Sequence, residues 1–520
     1  MNPQSRLMTA TDRVLAALVV ATVLGGALAF GGRVWWAPVA LAALVTLMAL
    51  GLLVRSLLEG RMTVLKSPLT FLGLCAVALG SAQVAPLPAS LASKLSPTSR
   101  AAYTVGYLPE RARILDPTLV PPEAPVNRSP ISIDRAATVR WTAGAAACLA
   151  VFLTASRFAD RLGHLYVVWG SVVAAFFLNT AVAVVQFACR TRGLYGFIQP
   201  GRGPAWAPNL NDLLTSPTVT FLRASGETRP DHPHWALSQP EQPYLLGTLM
   251  GGPGAYLALA SIGLPLALGL TLQQLAPRGS REPLSMRLGQ SGRGGLVVLM
   301  LTMMVASSAL IGLLAGPEMS VLFGLTLVLV GFPSARRTGL RWSAVGLTSL
   351  VVGVLGLSAW LGTLWLTSTI YPPPFEPERL STATRVWAEA VPIALDFPVF
   401  GSGLGTFASV YPYYKTVDGA TTTAMSSLLQ WWVEAGLAGL AVLAATFFWC
   451  LFRLPSAVKD VGTADRALAF GLIGAVAGFT LFSAVHWTVE LTSVALAASA
   501  VAGTCHRWLA GGTDLFVERG

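Results

Sequence analysis

The chain has 520 residues, 54% of them hydrophobic and only 11% charged, with a formal net charge of +11. Soluble domains carry roughly a quarter charged residues, so a mean hydropathy of +0.63 over this length excludes a set of soluble domains. The positive charge does not point to nucleic acid, because the arginines and lysines stand between apolar runs, where they anchor helices and set topology.

Apolar runs fall at 14–32, 36–54, 68–85, 141–156, 164–188, 246–273, 295–315, 319–333, 342–367, 427–452, 467–486 and 491–510. Runs of about twenty residues match a bilayer core of roughly 30 Å, and only helices or closed barrels satisfy the backbone there. These runs are too continuously apolar for barrel strands, so an all-α polytopic membrane protein of about twelve transmembrane helices is expected. The first run follows Arg6 and Arg13 and reads as a retained helix, since it exceeds a signal-peptide core and more spans follow. The shortest, 319–333, reads as a tilted or partial span after a tight Gly316-Pro317-Glu318 turn.

Arg55, Arg61 and Lys66 follow the second run, Arg157 and Arg161 the fourth, and Arg336, Arg337 and Arg341 the eighth. With twelve spans these share one face with both termini, and the positive-inside rule makes that face cytoplasmic in a bacterial inner membrane. The other, periplasmic face carries three long segments at 86–140, 189–245 and 368–426. Loops of that length are usually functional or disordered. In the last of them Val386, Trp387, Ala390, Ile393 and Ala394 recur at helical spacing, which predicts a helix over 382–395 lying flat on the membrane. The five cysteines, Cys75, Cys148, Cys189, Cys450 and Cys505, have no metal or redox spacing.

The segment from Ser381 reads Ser-Thr-Ala-Thr-Arg-Val-Trp, then Gly401-Ser402-Gly403-Leu404-Gly405-Thr406-Phe407 and Tyr411-Pro412. Next comes Leu429-Gln430-Trp431-Trp432-Val433-Glu434-Ala435-Gly436-Leu437-Ala438-Gly439. Upstream stand Gln83-Val84-Ala85-Pro86-Leu87-Pro88 and Pro130-Ile131-Ser132-Ile133-Asp134, and His486 and Glu490 lie near the end. In this order the patches resemble the O-antigen ligase and O-antigen polymerase family. The resemblance implies a GT-C-like architecture. It implies a glycosyltransferase of polysaccharide biosynthesis in the cell envelope, moving a glycan from a polyprenyl-diphosphate carrier to a glycan or glycolipid acceptor at the periplasmic face. It implies no metal or other cofactor.

That chemistry needs fixed cations for the leaving diphosphate and a base for the acceptor hydroxyl. Arg385 is the first candidate for the diphosphate, with Arg379 and Lys415 as further anion contacts and Trp387 beside them. An arginine snorkelling to headgroups is the plain alternative for Arg385. Gly401, Gly403 and Gly405 would let backbone amides approach a phosphate, or form a sharp turn only. Glu434, inside an apolar run, is a candidate base, since intramembrane acids are functional hypotheses by default; a structural pairing is equally open. His232 and His234 are candidate bases, without the further ligands a metal would need. His486 and Glu490, one turn apart on a helix, would share a face as substrate-binding residues or as a structural pair. Trp206, Trp235, Tyr244, Tyr411, Tyr413 and Tyr414 suit sugar stacking or an interfacial belt.

The chain departs from the family in three places. Met425 stands where many members have a histidine, Gly247-Thr248-Leu249-Met250 replaces an Asn-Arg-Asn-His element, and Gly316-Pro317-Glu318-Met319 replaces a Ser-Arg-Gly turn. A non-catalytic relative that binds lipid-linked glycan or scaffolds envelope enzymes is therefore the second reading. A secondary transporter is the third, with few midplane charges to support it.

Overall fold

The computed structural model describes residues 3–28, 37–60, 68–105, 128–158, 162–189, 252–275, 293–337, 341–361, 378–416, 423–459, 466–486 and 492–509. Among these the regular structure is helical, apart from a two-residue antiparallel pair that sets Leu87 opposite Ser129 and Pro88 opposite Arg128. The helices are α1 (Pro3–Leu28), α2 (Ala37–Glu59), α3 (Pro68–Val84), α4 (Ala89–Leu95), α5 (Pro97–Val105), α6 (Arg135–Phe158) and α7 (Leu162–Cys189). They continue as α8 (Gly252–Leu275), α9 (Arg293–Arg337), α10 (Arg341–Leu361), α11 (Glu378–Asp396) and α12 (Phe407–Val410). The last three are α13 (Ser427–Lys459), α14 (Arg466–Val485) and α15 (Thr492–Leu509). Among the described residues nine helices are long and apolar enough to cross a membrane, and three shorter apolar helices cover Pro68–Val84, Met319–Ser334 and Thr492–Cys505. The protein is a polytopic membrane protein.

Helix α8 is the axis of the bundle, with its whole apolar stretch enclosed by other helices. Small residues bring α14 against it: Gly269 meets Gly471, Pro265 meets Gly474 and Ser261 meets Gly478. A Cβ on Gly269 would sit 2.7 Å from the Gly471 Cα, so the two backbones touch, as small residues allow between membrane helices. The order of these pairs makes α8 and α14 antiparallel.

Helix α9 spans 45 residues, about twice what a bilayer core needs at roughly 1.5 Å per residue. Its neighbours show that it doubles back. In the first half Met300 meets Thr271, and Ser307 meets Thr180, which also holds Tyr256, so this half runs antiparallel to α8. In the second half Phe323 lies beside Phe482 and Val330 beside Gly474, so that half runs antiparallel to α14. Since α8 and α14 already oppose each other, the two halves of α9 oppose each other too. The reversal falls between Ser307 and Phe323, the stretch that holds the Gly316-Pro317 step.

At the end of α6 distant from the long loop segments, Arg55 lies 2.9 Å from Asp12 and 3.0 Å from Glu59, and Glu59 also binds Arg157. This cluster ties α1, α2 and α6. At the other end, α11 departs from the expected membrane-surface helix. Val386, Ala390, Ile393, Ala394 and Phe397 are buried, but against Phe407, Val410, Tyr411, Tyr414, Ala424 and Val433 of the same chain. The apolar stripe that suggested a membrane contact is instead half of a small protein core.

Candidate functional site: a glycine turn locked into a broken helix

Helix α13 breaks at Gly436, where φ is 66° and ψ is −168°. A break there removes the helix bonds from the Leu437 and Ala438 amides to the carbonyls of Val433 and Glu434. All four groups find partners in the glycine turn. Leu437 N donates to Pro398 O at 2.8 Å and Ala438 N to Val399 O at 3.1 Å; Ser402 N donates to Val433 O at 2.9 Å and Gly403 N to Glu434 O at 3.2 Å. The buried backbone is thus fully paired across the break, as a membrane-embedded kink requires. Gly401 faces it with φ 73°, and a Cβ there would run into the Glu434 carbonyl.

The Glu434 side chain finishes the lock. It is 2% exposed; one carboxylate oxygen accepts from Gly405 N at 2.7 Å, and the other accepts from Phe407 N and Gln430 Nε2, each at 3.0 Å. Gln83, at the end of α3, is fully buried on the other side. Its Nε2 donates to Phe400 O at 2.6 Å and Glu434 O at 2.9 Å, and its Oε1 accepts from Leu404 N at 2.9 Å. Two further bonds bring in the Pro130–Asp134 patch: Ile133 N to Ser402 O at 3.0 Å, and Ser132 N to Gln83 O at 2.9 Å. Four patches far apart in the chain therefore form one hydrogen-bonded block.

This geometry bears on two pairs of readings that the sequence left open. Every amide from Ser402 to Phe407 already has an internal acceptor, so Gly403 and Gly405 offer no amide to a phosphate. Of the two readings open for Glu434, a base and a structural acceptor, the geometry favours the second: its carboxylate aims at the turn's backbone and both oxygens are engaged. Replacing Gly436 by alanine should destabilise the protein by at least about 2 kcal/mol, from the strained φ and from a Cβ driven against the Val399 carbonyl. A thermal melt in detergent at unchanged expression checks this.

Helix α11 carries the second half of the site. Its outward face exposes Arg385, which has no hydrogen bond or ion pair among the described residues, and Arg379 lies in its first turn. Trp387 is half-buried, with an enclosed and unpartnered indole N–H. On the inward face Glu389, 6% exposed, accepts from Tyr411 Oη at 2.6 Å, from Thr416 N at 2.8 Å and from the Thr416 hydroxyl. Burial pushes the Glu389 carboxyl up, but the Thr416 and Tyr411 hydrogen bonds and the nearby Arg385 charge outweigh it, leaving a net shift below the ordinary value of 4.5. Tyr411 moves up, through burial first and then its bond to the Glu389 carboxylate. Tyr414 likewise donates to Asp396 at 2.6 Å. Tyr411 and Tyr414 are therefore inward structural residues, neither sugar platform nor membrane belt.

A group held below its ordinary value stabilises the fold above that value, and the contribution disappears as pH falls through the folded one. The melting temperature should therefore drop as pH falls from roughly 5 to 3, and Glu389→Gln should flatten that drop while lowering stability at neutral pH. Equal acid slopes for both proteins would remove Glu389 from the explanation. Glu389 was missed in the sequence, though its signal was there: it lies in phase with Val386, Ala390 and Ile393, a charge on the buried stripe.

Lys415 is half-buried beside this cluster, its amide donating to Tyr411 O at 3.1 Å. His486 follows the last residue of α14, and Glu490 lies outside the described residues. Its ring stacks on Phe482 at 4.9 Å and covers Gly254. Ser426 Oγ donates to Ala484 O at 2.7 Å and Ser427 Oγ to His486 O at 3.2 Å. His486 is thereby stitched to the residues after Met425, which itself sits at a φ of 53°. His232, His234, Trp206, Trp235 and Tyr244 lie outside the described residues. No protein-family model matches this chain, and no curated protein matches it.

Proposed function

We propose that this protein is an O-antigen ligase-like membrane glycosyltransferase, moving a glycan from a polyprenyl-diphosphate carrier to a glycan or glycolipid acceptor. One observation carries the reading. The patches that resemble the family, around Gln83, Ser132, Gly403 and Glu434, meet in one block that positions the helix bearing an arginine that is exposed and unpaired among the described residues. Arg385 then contacts the diphosphate, which suits a guanidinium because it donates two hydrogen bonds at once.

Glu434 and the glycines have a positioning role in this scheme, holding α11 against α13. The base for the acceptor hydroxyl is assigned to His486, next to the place where Met425 replaces the family's histidine. The nine long and three shorter apolar helices are read as twelve spans, with both termini cytoplasmic and the block on the periplasmic side of a bacterial inner membrane.

A second reading, a non-catalytic relative that binds lipid-linked glycan, is favoured by Met425, which takes no proton, and by the fully bonded Glu434. Complementation of a deletion strain by wild type and His486→Asn separates the two. Loss of surface glycan with accumulation of lipid-linked donor, at normal protein levels, supports transfer. Full complementation by His486→Asn removes the base assignment and favours the binding reading.

A further inference from the structure

We propose that the loop-bearing end of α6, together with α4 and the strand before α6, is a docking surface for anionic phospholipid headgroups. The argument starts from a contrast along one helix. At one end of α6, Arg157 is paired with Glu59, which also holds Arg55. At the other end Arg135 and Arg140 are exposed, and neither has a hydrogen bond or ion pair among the described residues. Arg128 and Lys94 are exposed in the same way. The short strand bearing Arg128 pairs with Leu87–Pro88, directly before α4, which sets Arg128 and Lys94 on one packed unit, and the chain runs from that strand through Pro130–Asp134 into α6 with Arg135 and Arg140.

No carboxylate among the described residues forms an ion pair with them. Asp134, adjacent to Arg135, turns inward: Oδ1 accepts from Ala137 N at 2.9 Å, and Oδ2 from Ser409 Oγ at 3.0 Å. An apolar neighbour stands beside the cations on both helices. Val139 is 52% exposed next to Arg140 and one turn from Arg135, and Leu91 is 42% exposed one turn from Lys94. A soluble polyanion has no use for those apolar groups, whereas a lipid meets both, acyl chain on Val139 and Leu91 and phosphate on the cations. Arg140 lies about 7.5 Å along the axis from Arg135, a depth from which its side chain reaches the headgroups. This surface is independent of the proposed transfer reaction.

The test uses the full chain in nanodiscs of equal phosphatidylglycerol and phosphatidylethanolamine, with retained lipids read by native mass spectrometry. Wild type should enrich phosphatidylglycerol. The enrichment should fall about fivefold per cation removed across Lys94→Gln, Arg135→Gln and Arg140→Gln, and should weaken as salt rises. Should the triple variant fail to assemble, the single Arg140→Gln protein gives the same comparison. No enrichment by wild type, or enrichment unchanged in the variants, overturns the proposal. So does retention confined to added polyprenyl diphosphate, which would make the surface part of a donor site.

Discussion

Glu434→Ala should lower the stability of the protein by roughly 4 kcal/mol, because it leaves the Gly405 amide, the Phe407 amide and the Gln430 side chain without their acceptor in a buried site. A large fall in melting temperature and in detergent-extracted folded yield would show it. Glu434→Gln keeps one oxygen but turns an NH2 group toward a backbone donor, so an intermediate loss of about 2 kcal/mol is expected. The pair of variants separates the two roles open to this residue. A Glu434→Gln protein that melts like wild type yet transfers no glycan would restore the carboxylate as a base. A Glu434→Ala protein that melts like wild type would mean that the turn is held by Gln83 and the backbone alone.

Arg385→Ala should behave in the opposite way: transfer is lost and the fold is untouched. Its side chain is exposed and unpaired among the described residues, so stability should change by no more than about 0.5 kcal/mol. Arg385→Lys retains the charge but not the two-pronged geometry, and transfer should fall roughly ten- to a hundredfold. The readouts are surface and lipid-linked glycan on gels from a complemented deletion strain. Arg385 also helps hold the Glu389 carboxyl low, so Arg385→Ala should move the acid limb of the stability curve to higher pH. Full complementation by Arg385→Ala would make the residue an interfacial anchor, and the non-catalytic reading would take its place.

The bundle was legible because membrane helices are written as continuous apolar runs, and each backbone must satisfy itself within its own segment. The expected run at 319–333 and its Gly316-Pro317 turn correspond to the reversing half of α9, since the turn chemistry is local. The amphipathic pattern of α11 was also readable, but a stripe of Val386, Ala390 and Ile393 says only that something apolar covers it. Lipid and protein satisfy that stripe equally; the placement of Phe407, Tyr411 and Val433 decides for protein.

The site was legible as a set of residues and not as a set of roles. An acid in an apolar run announces a partner without naming it, and for Glu434 the partners are amides supplied by a turn 27 and 29 residues earlier. Gln83 lies 351 residues from Glu434, a separation at which no periodicity or spacing carries information. By itself the sequence determined that the chain crosses a membrane many times, roughly where its long apolar helices lie, and which residues merit attention. Only the tertiary structure decided that the glycine turn repairs a broken helix, that Glu434 is a structural acceptor there, and that Arg385 stays open on the outward face. The physical reason is that burial and hydrogen-bond pairing belong to contacts between distant segments, whereas hydropathy belongs to each segment alone.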